Sequence, residues 1–290
     1  MTDFVTGAPV EGSLDVRWVH GTKLTSGDPG PRIQVHAFDE HTYLLRQNKS
    51  VHYEAPFMYL LMGADRAVLL DTGATADPAA FPLRDTVEGI LEVWLTRNPT
   101  RNPRDGYELV VAHTHAHGDH VAGDGQFAGR AGTIVVGVDL PAVQSFFGFS
   151  NWPAEVVEFD LGGRVLEVTG IPGHHQTAIA IFDRWTGFLL TGDTVYPGRL
   201  YGRDMAAFVD SMDRLVEFAQ QRPVRHVMGC HIEMTTTPGR DYPTGTTYQP
   251  DEPPLQMSMQ QLLAVRDAAH AANHKPGIHV FDDFVIVNGT

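Results

Sequence analysis

The stretch His113-Thr-His-Ala-His-Gly-Asp-His120, directly behind the apolar run 109–112, restricts this chain more than any other. A strand-like run stops abruptly there. Three imidazoles and a carboxylate then fall within six residues, and Gly118 lets the backbone turn. Donors this dense are poor core material and good cation ligands. His115 and His117 are two apart, so at a frayed strand end their side chains can converge on one ion. Asp119 and His120 come after the turn and face another direction, which suits a second ion. Zinc takes neutral imidazole nitrogen and carboxylate oxygen readily, and an open position on such an ion holds reactive water. A histidine-rich surface turn is the weaker reading.

Three further positions share this format: a strand ends, a small residue turns the chain, and a donor is exposed. They are His174 in Ile171-Pro-Gly-His-His175, Asp193 in Leu190-Thr-Gly-Asp-Thr194, and His231 in Met228-Gly-Cys-His231. Each alone is weak, since a solitary histidine after a strand is more often hydrogen-bonded structure. In this order, and together, they are specific.

The rest of the chain reads as many strands interleaved with a few helices. Residues 1–30, rich in Gly, Pro, Ser and Thr, read as an arm with one strand about 14–19. Strands follow at 33–38, 42–46, 57–62 and 67–70, the last ending in the turn Asp71-Thr-Gly73. Leu83, Val87, Ile90, Leu91 and Trp94 mark one face of a helix over 79–95, closed by a loop at 98–103. A short helix is expected at 121–127, a strand at 133–138 and a helix at 140–147, followed by the aromatic loop Phe146–Trp152, which either walls an apolar pocket or folds under the sheet. Strands are expected at 156–159, 164–169, 178–182, 188–190 and 225–228. Met205 to Ala219 keeps helical spacing. A Pro-rich loop at 238–254, a helix at 255–272 and a strand at 278–287 complete the fold. This is a mixed α/β (α+β) pattern with helices covering sheets. With no repeat or linker, 1–290 is expected to be one domain.

Composition narrows the partners. Apolar content of 42% and charged content of 19% are globular values. The formal net charge of −14, with no Lys/Arg run, disfavours nucleic acid and anionic membranes and leaves a small-molecule substrate. Cys230 is the only cysteine, so no intrachain disulfide forms and nothing suggests an oxidising compartment. The N-terminus lacks the basic and apolar regions of a secretory signal, and no apolar run reaches the roughly 20 residues that span a bilayer. A soluble cytoplasmic protein is the expectation, and loop aromatics leave a homodimer open.

The motifs HTHAHGDH, PGHH, LLTGDT and GCH, with DTG upstream, resemble those of the metallo-β-lactamase superfamily over about residues 33–235. The resemblance implies a four-layer αβ/βα sandwich of two mixed β-sheets. It implies that His115, His117 and His174 hold one metal, that Asp119, His120 and His231 hold another, and that Asp193 bridges them. Asp71 matches the buried DTG aspartate, which is not a ligand. Two dications against two aspartates and a bridging hydroxide leave such a site about +1, suited to a polarised carbonyl and its oxyanion.

Branches of the family can be weighed against these residues. The flavodiiron branch has Glu where His117 stands. True β-lactamases typically lack the bridging aspartate, and one subgroup has a cysteine ligand, whereas Cys230 lies one residue before the expected His231. Cys230 reads as a small buried hydrophobe. Glyoxalase II binds glutathione through basic residues of a C-terminal helical region, and between 255 and 290 only Arg266 and Lys275 occur. The leading expectation is a dinuclear zinc hydrolase, with iron or manganese as other metals, attacking an ester or lactone through a metal-bridging hydroxide. β-Lactam or thioester (glyoxalase II-like) hydrolysis and an iron-dependent sulfur oxidoreductase are the alternatives, and a metal-stabilised binding protein ranks below them. Asp119 would steer the hydroxide and shuttle a proton. Tyr196, three residues after Asp193, matches a lactonase-branch tyrosine that hydrogen-bonds substrate, against a plain packing role. Arg199, Tyr201 and Arg203 either neutralise a substrate carboxylate or cap the next helix. The loop of His52 and Tyr53 would overhang the site.

Overall fold

The computed structural model describes residues 2–24, 27–98 and 106–289. One sheet carries, in spatial order, β1 (Ile33–Asp39), β2 (Thr42–Gln47), β3 (Phe57–Met62), β4 (Arg66–Leu70), β5 (Glu108–Ala112) and β6 (Thr133–Val135). It is antiparallel from β1 to β4 and parallel from β4 to β6. Parallel neighbours need crossovers. The first is helix α1 (Leu83–Arg97); the second contains the short helix α2 (Gly118–Val121) and a 3₁₀ turn at Ala122–Gln126.

The second sheet has the order β13 (Gln256–Met257), β12 (His226–Gly229), β10 (Phe188–Gly192), β9 (Ile179–Asp183), β8 (Val165–Gly170) and β7 (Val156–Asp160). Its strands are antiparallel except for the β10–β12 pair. Both sheets are mixed, and they pack face to face.

Alternation on the strands builds the layers. Phe57, Tyr59 and Leu61 of β3 meet Ile179 and Ile181 of β9 between the sheets. Met58, Leu60 and Met62 face the other way, onto Leu83, Val87, Leu91 and Trp94 of α1. On the far side Ala180 and Phe182 lie under α4 (Met205–Gln220) and α5 (Met259–Ala272). Strands buried on both faces read as unbroken apolar runs, as β3 does. The expected helix–sheet–sheet–helix sandwich is present, with α3 (Leu140–Phe147) against β7.

Some expectations need correction. There is a third sheet, β11 (Arg199–Gly202), β15 (Val285–Asn288) and β14 (Gly277–Val280), in the order β11-β15-β14. The single final strand expected at 278–287 is a hairpin, because Phe281-Asp-Asp-Phe284 turns and closes on a Phe281 N–H bond to the Phe284 carbonyl (2.9 Å). The strand expected at 14–19 does not form. That segment is tied to β1 through side chains: the Val19 N–H donates to Gln34 Oε1, and Gln34 Nε2 donates to the Arg17 carbonyl. Helix α5 starts four residues late, at Met259, where Ser258 and Gln261 form a capping box. Helix α1 likewise starts after Pro82, and the short helix expected at 121–127 begins at Gly118. The loop expected at 98–103 lies, beyond Asn98, outside the described residues. Among the described residues no helix is long and apolar enough to cross a membrane.

Candidate metal centre

β5 ends at Ala112, β8 at Gly170, β10 at Gly192 and β12 at Gly229, and all four strand ends share one rim of the sandwich. Beyond them come His113 to His120, His174, Asp193 and His231. Two glycines make the close approach possible. Gly192 has φ +53°, and a Cβ there would stand 2.7 Å from the Thr114 Cβ. Gly173 has φ +136°, and its Cβ would stand 2.4 Å from the Phe208 backbone.

His115, His117 and His174 form one group of donors. His117 Nδ1 lies 2.9 Å from His115 Nε2 and 3.0 Å from His174 Nε2. These separations are close to the roughly 3.3 Å expected between nitrogens at ~2.05 Å from one tetrahedral ion. Asp119, His120, Asp193 and His231 form the second group, its donor atoms within 4.8 Å of one another. Asp119 Oδ2 is 3.2 Å from His120 Nε2 and 3.3 Å from His231 Nε2. Asp193 faces both groups. Its Oδ2 stands 3.4 Å from His120 Nε2, 3.8 Å from His174 Nε2 and 3.9 Å from His115 Nε2, while its Oδ1 is 3.3 Å from His231 Nε2.

His120 Nε2 and Asp193 Oδ1 are buried and have no hydrogen-bond partner. An unpaired buried polar atom costs about 1–3 kcal/mol, so two of them aimed at one gap mark a place built for something else. Nitrogen and carboxylate donors around that gap fit zinc or a similar dication.

In four of the five rings the nitrogen facing away from the gap is engaged. His120 Nδ1 meets Asp71 Oδ2 at 2.9 Å, His231 Nδ1 the Glu54 carbonyl at 3.1 Å, His174 Nδ1 the Tyr201 carbonyl at 3.3 Å, and His115 Nδ1 the Thr114 hydroxyl at 3.1 Å. Such bonds fix ring orientation around a metal. Asp71 is fully buried at φ +69°, a strained conformation for a residue with a side chain. Its carboxylate also accepts from the Thr114 N–H and hydroxyl (2.8 and 2.9 Å) and from the Cys230 thiol (3.3 Å). Burial pushes that thiol well above its usual pKa, so Cys230 stays a protonated donor.

Electrostatics separate the two groups. Burial lowers His115 and His117 and pulls His174 down to about 4, leaving neutral rings with free lone pairs. Burial also acts against charge on His120 and His231, but the Asp193, Asp71 and Asp119 carboxylates outweigh it. They hold His120 well above its ordinary value and His231 at about 10. For Asp119 and Asp193 burial favours the neutral form, yet the facing imidazolium charges hold both well below the usual carboxylate range. Without a cation, protons on the second group supply its positive charge.

A cavity of about 180 Å³ opens over this arrangement, with His117, Asp119, His174, Asp193 and His231 in its wall. The sequence reading missed Glu54 and Thr244 at its mouth, where neither carries a motif. Tyr53, Tyr201 and Arg203 line the mouth too. Arg203 lies over the Tyr201 ring at 5.7 Å and has no carboxylate partner among the described residues.

Three expectations change. Tyr196 borders the cavity, but its hydroxyl donates to the Arg199 carbonyl (2.5 Å) and lies 3.1 Å from Glu233 Oε2, so its one proton is engaged away from any substrate oxygen. Arg199 neither caps α4 nor faces the cavity with a free charge; it is bound to Glu233 and Asp241 (2.5 and 2.8 Å), and Asp204 caps α4. The aromatics Phe146, Phe147, Phe149 and Trp152 pack against the core between the sheets instead of walling the site.

The match to known proteins agrees with this geometry. The model of the metallo-beta-lactamase superfamily matches residues 54–205. A hydroxyacylglutathione hydrolase of Synechococcus sp. (strain JA-2-3B'a(2-13)) is 30% identical over 220 residues, covering 72% of this chain and 75% of that protein. An acyl-coenzyme A thioesterase MBLAC2 of Bos taurus is 26% identical over 212 residues, covering 60% of this chain and 72% of its own. Among solved structures, a metallo-beta-lactamase from Pontibacter korlensis superimposes with a TM-score of 0.52 at 19% identity, covering 82% of this chain and 99% of that one. At that identity the likeness concerns the fold.

Proposed function

The chain belongs to the metallo-beta-lactamase superfamily and is a metallo-hydrolase, and from that premise we propose that it works with two zinc ions on an acyl thioester. His115, His117 and His174 would hold one ion, Asp119, His120 and His231 the other, and Asp193 both. The observation that carries this reading is the placement of Asp193, whose two oxygens face His115, His174, His120 and His231 at 3.3–3.9 Å. Bound there, zinc supplies Lewis acidity toward the acyl oxygen and lowers the pKa of water towards about 7.

The chain's own residues do the rest. Asp119 lines the cavity as an ionised carboxylate, able to accept a hydrogen bond from a water and orient it. Asp71, the Glu54 carbonyl and the Tyr201 carbonyl hold the rings still, so little reorganisation accompanies the reaction. Arg203, which has no carboxylate partner among the described residues, lines the cavity and favours an anionic group on the leaving thiol.

The thioester is preferred to the lactone for two reasons. The relatives named above are thioester hydrolases by name. The lactone reading leaned on Tyr196, whose proton is bound elsewhere. Metal analysis with a panel of acyl thioesters, lactones, aryl esters and a chromogenic cephalosporin tests the reading. Two zinc per chain and chelator-sensitive turnover fastest on thioesters are expected. One iron per chain, or turnover indifferent to chelators, would reject it, and a lactone preference would keep the metal chemistry and reject the substrate.

A further inference from the structure

His113 opens the histidine cluster and is buried, yet it belongs to neither group of donors. Its Nε2 meets Asp124 Oδ1 at 2.8 Å, and the same oxygen accepts from the Thr72 hydroxyl at 2.8 Å. This is not a nucleophile relay, since the threonine and the imidazole bond one carboxylate oxygen and not each other. Both lone pairs of that oxygen are filled instead by groups from two other segments, the end of β5 and the turn after β4.

The result is a closed loop. His113 and Asp124 are 11 residues apart, and His115, His117, Asp119 and His120 all lie between them. Thr72 ties the same segment to the turn after β4. Its N–H donates to the His120 carbonyl at 2.7 Å, and the Ala122 N–H donates to the Gly73 carbonyl at 3.2 Å. Two donors of each group therefore stand on a segment whose ends one carboxylate joins.

Other bonds do not place every one of these donors. Asp71 orients the His120 ring, and the Thr114 hydroxyl steadies His115. Among the described residues the His117 ring nitrogens reach only His115 and His174, and the Asp119 carboxylate meets only His120 and His231. One donor of each group is thus placed by the loop backbone alone. A loop with open ends would have to be ordered as a cation arrives, and that entropy would be lost from the binding.

We propose that Asp124 is a positioning residue, holding segment 113–124 in the shape that both ions need through His113 at one end and Thr72 alongside. Asp124 is not in the cavity wall, so it acts through the ligands and not on substrate. The proposal rests on the two-ion reading above and is independent of which acyl compound is hydrolysed.

Equilibrium competition for zinc between the full chain and a chromogenic chelator tests this. Asp124→Ala should weaken zinc binding about 10- to 100-fold, the usual cost of losing a partner that orients metal ligands. Both ions should weaken, since each has a ligand placed by the loop. Adding His113→Ala to that variant should cost little more, because the bond is already gone. Asp124→Asn keeps the accepting oxygen and should stay within about fivefold of wild type. In the metal-free chain, hydrogen exchange at the Thr72 and Ala122 N–H groups should quicken in Asp124→Ala while β3 keeps its protection. Wild type binding two zinc, with Asp124→Ala binding them as tightly, overturns this proposal alone. So does an asparagine variant as weak as the alanine one, or protection lost equally across β3, which would mark a merely structural bond. Wild type binding fewer than two zinc overturns the two-ion reading and this proposal with it.

Discussion

Strand β8 runs between two buried charged regions that are built in opposite ways. At its start Arg164 meets Asp183, both fully buried. Arg164 Nε and Nη2 donate to the two Asp183 oxygens (3.1 and 2.5 Å), Nη2 also to the Thr42 hydroxyl, and Nη1 to the His41 and Met62 carbonyls. Asp183 takes further bonds from the Trp185 N–H and the Thr186 hydroxyl. Every donor there is used. Past its other end lies His174 among the metal-site donors, where His120 Nε2 and Asp193 Oδ1 face a shared gap unpaired. A closed network fixes a fold, because removing one member strands the rest. A set of donors held in place but left unclosed has affinity in reserve for a cation.

The sharpest break of this contrast is Asp193→Asn. It takes a carboxylate from both donor groups, so turnover should fall beyond roughly 10³-fold, more than the loss of one hydrogen-bond donor costs. Bound zinc should drop from two per chain to one or none by metal analysis. The metal-free protein should lose only the stability that Asp193 supplies by holding His120 and His231 protonated, since no closed network is opened. Full zinc content in that variant would refute Asp193 as the shared ligand.

Arg164→Met is the mirror experiment. It leaves Asp183 buried and uncompensated, a loss of about 3–5 kcal/mol, with zinc content and activity per folded molecule kept. Calorimetry should show most of the loss recovered on adding Asp183→Asn. A Tm drop confined to the zinc-loaded form would mean that the two regions are not independent.

A smaller effect concerns pH. In the metal-free protein His231 is held at about 10, above its ordinary 6.5. A raised pKa contributes stability that is full below 6.5 and is lost as pH rises through about 10. Zinc must displace that proton, so binding to the second group competes with acid. The zinc-induced gain in Tm should therefore grow between pH 6.5 and 10. The His115, His117 and His174 group, already neutral there, should contribute little slope. His231→Ala should flatten the dependence, and an unchanged slope would contradict the protonated state.

The sequence made the donors legible because each stands where an apolar strand stops at a small residue, as at Gly192-Asp193 and Gly229-Cys-His231. β3 and α4 were legible for a related reason: burial on a fixed face imposes a period. β11 was not, since the four residues Arg199–Gly202 carry no period long enough to read. Nor was the hairpin of β14 and β15, whose Phe281 and Phe284 continue the apolar run through a turn. Glu54 escaped notice because it serves His231 through its backbone carbonyl, which any residue could supply.

Tyr196 marks the limit of reading by offset, and it gives the smallest predicted effect. The offset from Asp193 suggested a substrate donor, but Pro197 and Gly198 turn the chain so that the ring folds back beside His231, with centroids 5.6 Å apart. Its hydroxyl then serves the Arg199 carbonyl and Glu233, which Arg199 also binds through its N–H and Nη2. Tyr196→Phe removes one bond from a network with others to spare, so it should cost about 1 kcal/mol of stability. Turnover should change by less than the 10- to 1000-fold that an oxyanion donor would contribute. Zinc content should not change. A fall in kcat beyond tenfold at full zinc would mean that the hydroxyl swings from Arg199 to substrate during the reaction, and that the metal centre has a working proton donor this side of the cavity.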